Sequence, residues 1–345
     1  MAQTQFAVVD VFSKTPYKGN PLAVVNDLKG ELSDTEMKLI TRQFNLSETT
    51  FFLHPSLPEA HYKLRSFLPD GKEVFGVGHN ILGAWWYLAH AGLLDFSKSV
   101  DFSKSGISKG EGVEEFTFYQ ELGGSVTPVK ILKSRVSSAE PTEFSVSITQ
   151  ATPKAHGRHP NVPELAATIG LGPEDIGLAS GTSVSRKQDV IPRVMSTSTT
   201  HHLLVPVASI AALERASVQR EKLLEQLQLA DERAYGLYLF AKDDREGASV
   251  NTYQARFFSP GMSTEDPATG SAAGPLSEFL RDEGLLELVD NKASIEVWQG
   301  LQVGRECLIK VNLAVDGNTP VVDVSGSGVL FSEGRLASQG SQVGF

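Results

Sequence analysis

A short signature occurs twice in this chain, and the repetition constrains the fold more than any other feature. Arg65-Ser-Phe67-Leu-Pro69 returns as Arg256-Phe-Phe258-Ser-Pro260, an Arg-x-Phe-x-Pro pattern at an offset of 191 (256 − 65). Each copy precedes a predicted helix that opens on glycine. With one extra residue in the second copy, Gly78 matches Gly270, His79 matches Ser271, Leu88 matches Leu280 and Gly92-Leu-Leu94 matches Gly284-Leu-Leu286. Two copies at this spacing are too few and too long for a solenoid or a propeller. They predict a pseudo-symmetric pair of domains with a ligand cleft between them.

The glycines at the two helix starts let a ligand approach the backbone, and a helix N-terminus offers unpaired N–H donors and a partial positive charge. Two such termini facing one cleft would hold an anion, most simply a substrate carboxylate. The chain's 345 residues suffice for two domains, each with its own core. Its 31 basic and 41 acidic residues give a net charge of −10, which argues against a nucleic-acid partner. The single cysteine, Cys307, forms no internal disulfide, and no zinc spacing of Cys and His is present, so a reduced cytoplasmic setting is expected. Nothing at the N-terminus reads as a secretory signal, and the apolar stretch Ile81 to Leu94 is interrupted by Gly83, His90 and Gly92. That stretch reads as a core helix, not a membrane span.

Phe6 to Phe12 and Leu22 to Val25 are short apolar runs split by a Pro16 to Pro21 turn cluster, the pattern of neighbouring strands. Ser33 followed by Asp34 and Glu36 predicts a helix to about Phe44, and Ser47 to Leu53 reads as a strand that presents Glu48. Asp95-Phe-Ser-Lys-Ser99 is duplicated as Asp101-Phe-Ser-Lys-Ser105, which reads as a surface loop. Polar insertions are expected at 97–112 and 152–186. The first domain is expected to cover 1–120 and the second 121–327.

The densest candidate for chemistry is Glu265-Asp-Pro-Ala-Thr-Gly-Ser-Ala-Ala-Gly-Pro275. Asp266 and Thr269 suit helix capping and Pro267 suits a first helical turn. The small residues that follow weaken helix propensity, which close approach of a ligand to the helix start explains. Gly76-Val-Gly78-His79 fails as a dinucleotide fingerprint, because its third glycine is misplaced and no acidic residue follows at the required distance. A nicotinamide oxidoreductase is therefore disfavoured. No nucleophile elbow supports a hydrolase. His79 alone would read as a helix-start histidine, but its match to Ser271 in the repeat marks it as functional. Glu48 alone would read as a surface residue. His201 and His202 are adjacent on a strand and point to opposite faces, so they read as structural.

Taken together, Val9-Asp-Val-Phe12, Gly19-Asn-Pro-Leu-Ala-Val24, Asn45-Leu-Ser-Glu-Thr-Thr-Phe51, Arg65-x-Phe67-x-Pro69, Glu73, Gly78-His79, the Asp266 to Leu276 block, Gln299-Gly300 and Gly304-Arg305 resemble the PhzF-like family of the diaminopimelate-epimerase superfamily. The resemblance covers nearly the whole chain. It implies an α/β (α+β) fold of two curved mixed sheets, each wrapped round one central helix, about His79 to His90 and Gly270 to Leu280, with the C-terminal strand 328–345 returning to the first domain. It implies Glu48 as general acid/base with His79 and Asp266, and Asn20, Gly78, Gly270 and Ser271 as substrate-binding residues. The implied reaction is a proton shift on a small carboxylate, without cofactor or metal, in a cytoplasmic homodimer with no membrane partner. The superfamily's thiol pair is lacking. The chain departs from the family pattern at Asn80-Ile81, where small residues are usual, which alters the expected pocket. The alternative to an isomerase is a catalytically silent metabolite-binding protein of the same fold.

Overall fold

A computed structural model of the chain describes residues 4–76, 78–99, 113–134, 142–178, 190–198, 200–249, 251–317 and 319–337. The chain divides into two units, Met1–Ile148 with Ser325–Phe345, and Thr149–Val324. In chain order the first unit supplies β1 (Gln5–Val11), β2 (Asn20–Asn26), α1 (Asp34–Phe44), β3 (Thr49–Leu53), β4 (Tyr62–Phe67), β5 (Glu73–Val74), α2 (His79–His90), β6 (Val113–Leu122), β7 (Ser125–Ser134) and β8 (Glu143–Thr149). The second supplies β9 (Lys154–Arg158), α3 (Val162–Thr168), β10 (Arg193–Thr197), β11 (Thr200–Pro206), α4 (Ile210–Arg215), α5 (Arg220–Ala230), β12 (Gly236–Lys242), β13 (Thr252–Phe258), α6 (Gly270–Asp282), β14 (Lys292–Gln299) and β15 (Cys307–Asp316). The long strand β16 (Thr319–Arg335) begins in the second unit and belongs to the first from Ser325 onward.

The two units follow one plan. β1 and β2 are antiparallel, α1 crosses from β2 to the parallel β3, β4 returns antiparallel, and β6 lies parallel beside β4. In the second unit β10 and β11 are antiparallel, α4 and α5 cross to the parallel β12, β13 returns antiparallel, and β14 lies parallel beside β13. Pairing of β1 with β16, and of β16 with β8, closes the first sheet round α2. Residues 79–89 of that helix are all buried. Its Trp85 Nε1 donates to Gln120 Oε1 on β6 at 2.8 Å, and a Cβ at Gly83 would stand 2.5 Å from Val11 and 2.7 Å from Leu22. Only glycine admits so close a helix–sheet approach. Alternation along the strands assigns the two faces of the second sheet. Leu237 and Leu239 pack with Leu165, Leu213 and Leu227 of α3 to α5, whereas Phe240 meets Phe279 of α6 edge-on at 5.5 Å.

Local sequence accounts for the ends of the helices. Ser33 caps α1 through a reciprocal capping box with Glu36, and Asn45 takes the left-handed conformation at its C-terminus. Both central helices stop in the same way: Gly92 (φ +69°) and Gly284 (φ +68°) are left-handed, with Leu93 N–H donating to Leu88 O at 2.9 Å and Leu285 N–H to Leu280 O at 2.7 Å. The matched Gly-Leu-Leu triplets are therefore paired helix stops.

The repeated Arg-x-Phe-x-Pro signature is a clamp. Arg65 holds Glu73 through Nε and Nη2, both at 2.8 Å, reaches Asp34 at the start of α1 at 2.6 Å, and lies 5.0 Å over the Phe67 ring. Arg256 holds Glu265 through Nε at 3.0 Å and through Nη2, donates to Leu213 O and Ala216 O at the end of α4, both at 2.8 Å, and lies 5.0 Å over Phe258. Glu73 and Glu265 thus complete the repeat at an offset of 192 (265 − 73). In each unit the pair ties the end of a central strand to the loop that leads into the central helix.

Several expectations change. The boundary expected at 120 falls within β6, which pairs residue for residue with β7 from Val113/Ser134 to Leu122/Ser125, so the first unit continues to Ile148. The expected insertion 152–186 contains β9 and α3, and Leu165 and Ala166 are core residues; 179–186 lie outside the described residues. In the duplicated loop Phe96 stacks on Phe144 at 6.0 Å and meets Phe116 at 4.7 Å, so the first copy is anchored, while the second copy lies outside the described residues. Among the described residues no helix is long and apolar enough to cross a membrane.

Glu265→Gln breaks a nearly buried ion pair, whereas Glu73→Gln breaks one that is about a quarter exposed on its acidic side. Loss of one partner from a buried pair costs about 3–5 kcal/mol, and an exposed pair contributes about 0–1 kcal/mol. Thermal melts are expected to show a larger fall for Glu265→Gln than for Glu73→Gln; equal falls would contradict the clamp assignment.

Candidate active-site residues

In the first unit Glu48 immediately precedes β3, and His79 is the first residue of α2. Their position is set by a polar bridge between the two elements. Thr50 Oγ1 and Ser66 Oγ are 2.9 Å apart across β3 and β4, and Ser66 Oγ accepts from Asn80 Nδ2 at 3.1 Å. Asn80 Nδ2 also donates to Gly76 O at 3.2 Å, and Asn80 Oδ1 accepts from Gly78 N–H at 3.1 Å. The departure from the family pattern at Asn80 is thereby explained: its amide is buried and pins the helix start to the strands. Ile81 beside it is fully buried.

This frame brings Glu48 Oε2 to 3.4 Å from His79 Nε2. The Glu48 side chain is 21 % exposed, but Oε2 itself is shut off from solvent and accepts no hydrogen bond among the described residues. Burial pushes its carboxyl up from 4.5 to about 7. A glutamate that reads in sequence as a surface residue is therefore a desolvated carboxyl at a helix start. Gly78 is the N-cap of α2 and makes no side-chain cap, and Asn20 is fully buried at the first residue of β2.

In the second unit Asp266 lies before α6 and Ser271 in its first turn. Thr269 occupies the N-cap position, yet its hydroxyl donates to Asp266 Oδ2 at 2.6 Å and caps nothing. Pro267 precedes the helix, so its expected place in the first turn is corrected: the turn containing it is fixed by Gln299 instead. Gln299 Nε2 donates to Asp266 O at 2.7 Å and Thr269 Oγ1 at 3.0 Å, and its Oε1 accepts from Thr269 N–H at 3.1 Å. Gly270 opens α6, and its carbonyl accepts from Gln150 Nε2 at 2.9 Å. The small residues of this helix start also have a packing reason, since a Cβ at Gly274 would fall 1.9 Å from Gln150 Oε1.

Two further residues join this cluster, and sequence reasoning gave neither a role. His202 is 1 % exposed and its Nε2 is 3.0 Å from Ser271 Oγ. Burial, reinforced by His201, pushes His202 down to about 3, so it is neutral at neutral pH. Its Nδ1 is buried without a hydrogen-bond partner. An orphaned lone pair is the less costly arrangement, which favours the tautomer with the proton on Nε2. Ser271 Oγ then accepts from His202, and its own O–H is available to an anion. Tyr238 is buried on β12, where burial and the charge of Asp266 push its hydroxyl above its ordinary range. No sequence spacing signals these partners, because the β11–β12–β13 pairing gathers them.

The model of the family described as phenazine biosynthesis-like protein matches residues 9–334. The chain belongs to this family. An uncharacterized isomerase of Mesorhizobium japonicum is 28 % identical over 339 residues, covering 97 % of this chain and 99 % of the relative. The trans-2,3-dihydro-3-hydroxyanthranilate isomerase of Pseudomonas aeruginosa is 27 % identical over 333 residues, covering 96 % and 98 %. A solved PhzF-family phenazine biosynthesis protein of Bacillus anthracis superposes with a TM-score of 0.77 at 23 % identity, covering 98 % of this chain and all of that one. The chain therefore has the diaminopimelate epimerase-like fold and is a small-molecule isomerase.

A histidine held down to about 3 keeps its proton count across the neutral range, while the unfolded chain's histidine takes up a proton below about 6.5. Its contribution to stability is thus lost as pH falls below that value. Nitrogen NMR of labelled His202 is expected to show a neutral, non-titrating ring protonated on Nε2 between pH 5 and 8; a midpoint near 6.5 would contradict this.

Proposed function

We propose that the chain moves a proton between two carbons of a small carboxylate-bearing substrate, with Glu48 as the general acid/base and no cofactor. The observation that carries this reading is the Glu48 carboxyl, whose burial raises it to about 7, beside His79 at 3.4 Å. A carboxylate of ordinary pKa is a poor base for a C–H bond, and one tuned to the working pH serves both as acceptor and as donor. On this reading Glu48 takes a proton from one carbon, the electron pair moves into the substrate's conjugated system, and Glu48 returns the proton to a second carbon. His79 steadies the Glu48 carboxylate while it is charged.

The second unit's contribution is proposed to be recognition of the anion. The N–H groups at the start of α6 and the Ser271 hydroxyl suit a substrate carboxylate and the negative charge that develops as the C–H bond breaks. Asp266, with Thr269 and Gln299 fixing its loop, is proposed to bind a polar substituent of the substrate, and Asn20 and Gly78 to line the first unit's side. The active site is proposed to lie in a cleft to which both units contribute. The substrate in the name of the Pseudomonas relative is a small unsaturated ring carboxylate. The same class is proposed here, with its substituents left to experiment.

Incubation in heavy water with small unsaturated or α-amino carboxylates, followed by NMR, tests the reading. Deuterium is expected to enter the substrate or product with the native chain and to fall at least about a thousandfold with Glu48→Gln, since general-base catalysis contributes roughly 10²–10⁴-fold. The rate should drop tenfold per pH unit below about 7, where Glu48 is protonated. Binding of a candidate without exchange would instead support the silent metabolite-binding protein.

A further inference from the structure

His201 and His202 are neighbours on β11 but face opposite ways. His202 meets Ser271 on the α6 side; His201 meets two residues far from it in sequence. His156 on β9, His201 and Asp231 at the C-cap of α5 offer one ligand atom each, all within 4.8 Å of one another. Nδ1 of His156 and Nδ1 of His201 stand 3.8 and 3.5 Å from the same oxygen, Asp231 Oδ2, and the two rings are 4.8 Å apart. A tetrahedral ion with bonds of about 2.0–2.1 Å separates its ligand atoms by about 3.3–3.4 Å. Both nitrogen–oxygen separations are within a few tenths of an ångström of that edge.

The surroundings fit the same reading. His156 Nε2 is 2.7 Å from Ser196 Oγ on β10, the strand between the two histidine strands. A metal-bound imidazole ordinarily gives its second N–H to such an outer oxygen, which leaves the first nitrogen's lone pair for the ion. His201 Nδ1 is buried and makes no hydrogen bond among the described residues. Burial, then the neighbouring His201, holds His156 below its ordinary value, so its ring is neutral and able to ligate. Asp231 also accepts from Arg233 N–H at 2.8 Å and Nε at 3.2 Å on Oδ1, and from Arg233 Nη2 at 3.2 Å on Oδ2. The Arg233 side chain is 59 % exposed and can release Oδ2 while keeping Oδ1.

We propose that His156, His201 and Asp231 bind one divalent transition-metal ion of the zinc type, fastening the edge strand β9 to β11 and to the end of α5. Two imidazole nitrogens and one carboxylate select zinc or cobalt over magnesium or calcium, and three protein ligands leave a fourth position for water. The site is on the face of the second sheet opposite Ser271, so it does not depend on the proposed isomerase chemistry.

The test uses the full chain, free of any histidine tag and stripped of metal, titrated with zinc chloride by calorimetry and with cobalt chloride by visible absorption. One ion per chain, the intense visible bands of four- or five-coordinate cobalt, and a thermal midpoint that rises with zinc are expected. His156→Ala and His201→Ala should each weaken binding at least about tenfold, while Arg233→Ala should retain it. No saturable binding, the weak spectrum of six-coordinate cobalt in the native chain, or equal affinity in the two histidine variants would overturn the proposal. The native chain's spectrum decides the matter even where a variant fails to fold.

Discussion

In each unit a guanidinium–carboxylate pair sets the geometry on which the candidate site depends. Arg65 with Glu73, and Arg256 with Glu265, fasten the end of a central strand to the loop entering the central helix. Each arginine also reaches the crossover helix behind its sheet, through Asp34 of α1 in one case and the terminal carbonyls of α4 in the other. A charge removed from water at that position is tolerable because every bond it needs is made locally. The reward is positional: the loop after the clamp is short, so the helix start follows at a fixed place. His79 and Ser271 are the residues presented there.

Glu48 shows the opposite treatment of the same side chain. Glu73 and Glu265 are charged because a guanidinium forks onto them, whereas Glu48 Oε2 is buried without a hydrogen bond, with only an imidazole nitrogen at 3.4 Å. The scaffold round it is fully satisfied. Thr50, Ser66, Asn80, Gly76 and Gly78 bond to one another, so strain or disorder does not explain the exception. A polar group left uncompensated amid such satisfaction marks a site where the missing partner is supplied by the reaction.

How much of this is legible in sequence depends on how far apart the partners lie. The capping box of Ser33 and Glu36, the extent of α2 and the paired Gly-Leu-Leu stops are local and can be read directly. The Arg-x-Phe-x-Pro repeat marks the clamp, but its acidic half emerges only when Glu73 and Glu265 are seen in the two forks. Pairings across the sheet are not legible: β11 brings His202 to Ser271 over 69 positions, and Gln299 reaches Thr269 over 30. Pro267 misleads because proline suits a first helical turn, while here the turn before the helix is held by Gln299. The boundary at 120 misleads because glycine and polar residues punctuate the chain there, although the β6–β7 hairpin binds it to the first unit.

The most direct test of the central claim is the titration of the Glu48 carboxyl itself, followed by carbon NMR of glutamate-labelled chain and assigned by the resonance lost in Glu48→Gln. A midpoint near 7 is expected, with the neighbouring His79 resonance moving as the carboxyl ionises. A midpoint near the ordinary 4.5 would mean that Glu48 is solvated in the working protein, and a proton shift tuned by its burial would be contradicted.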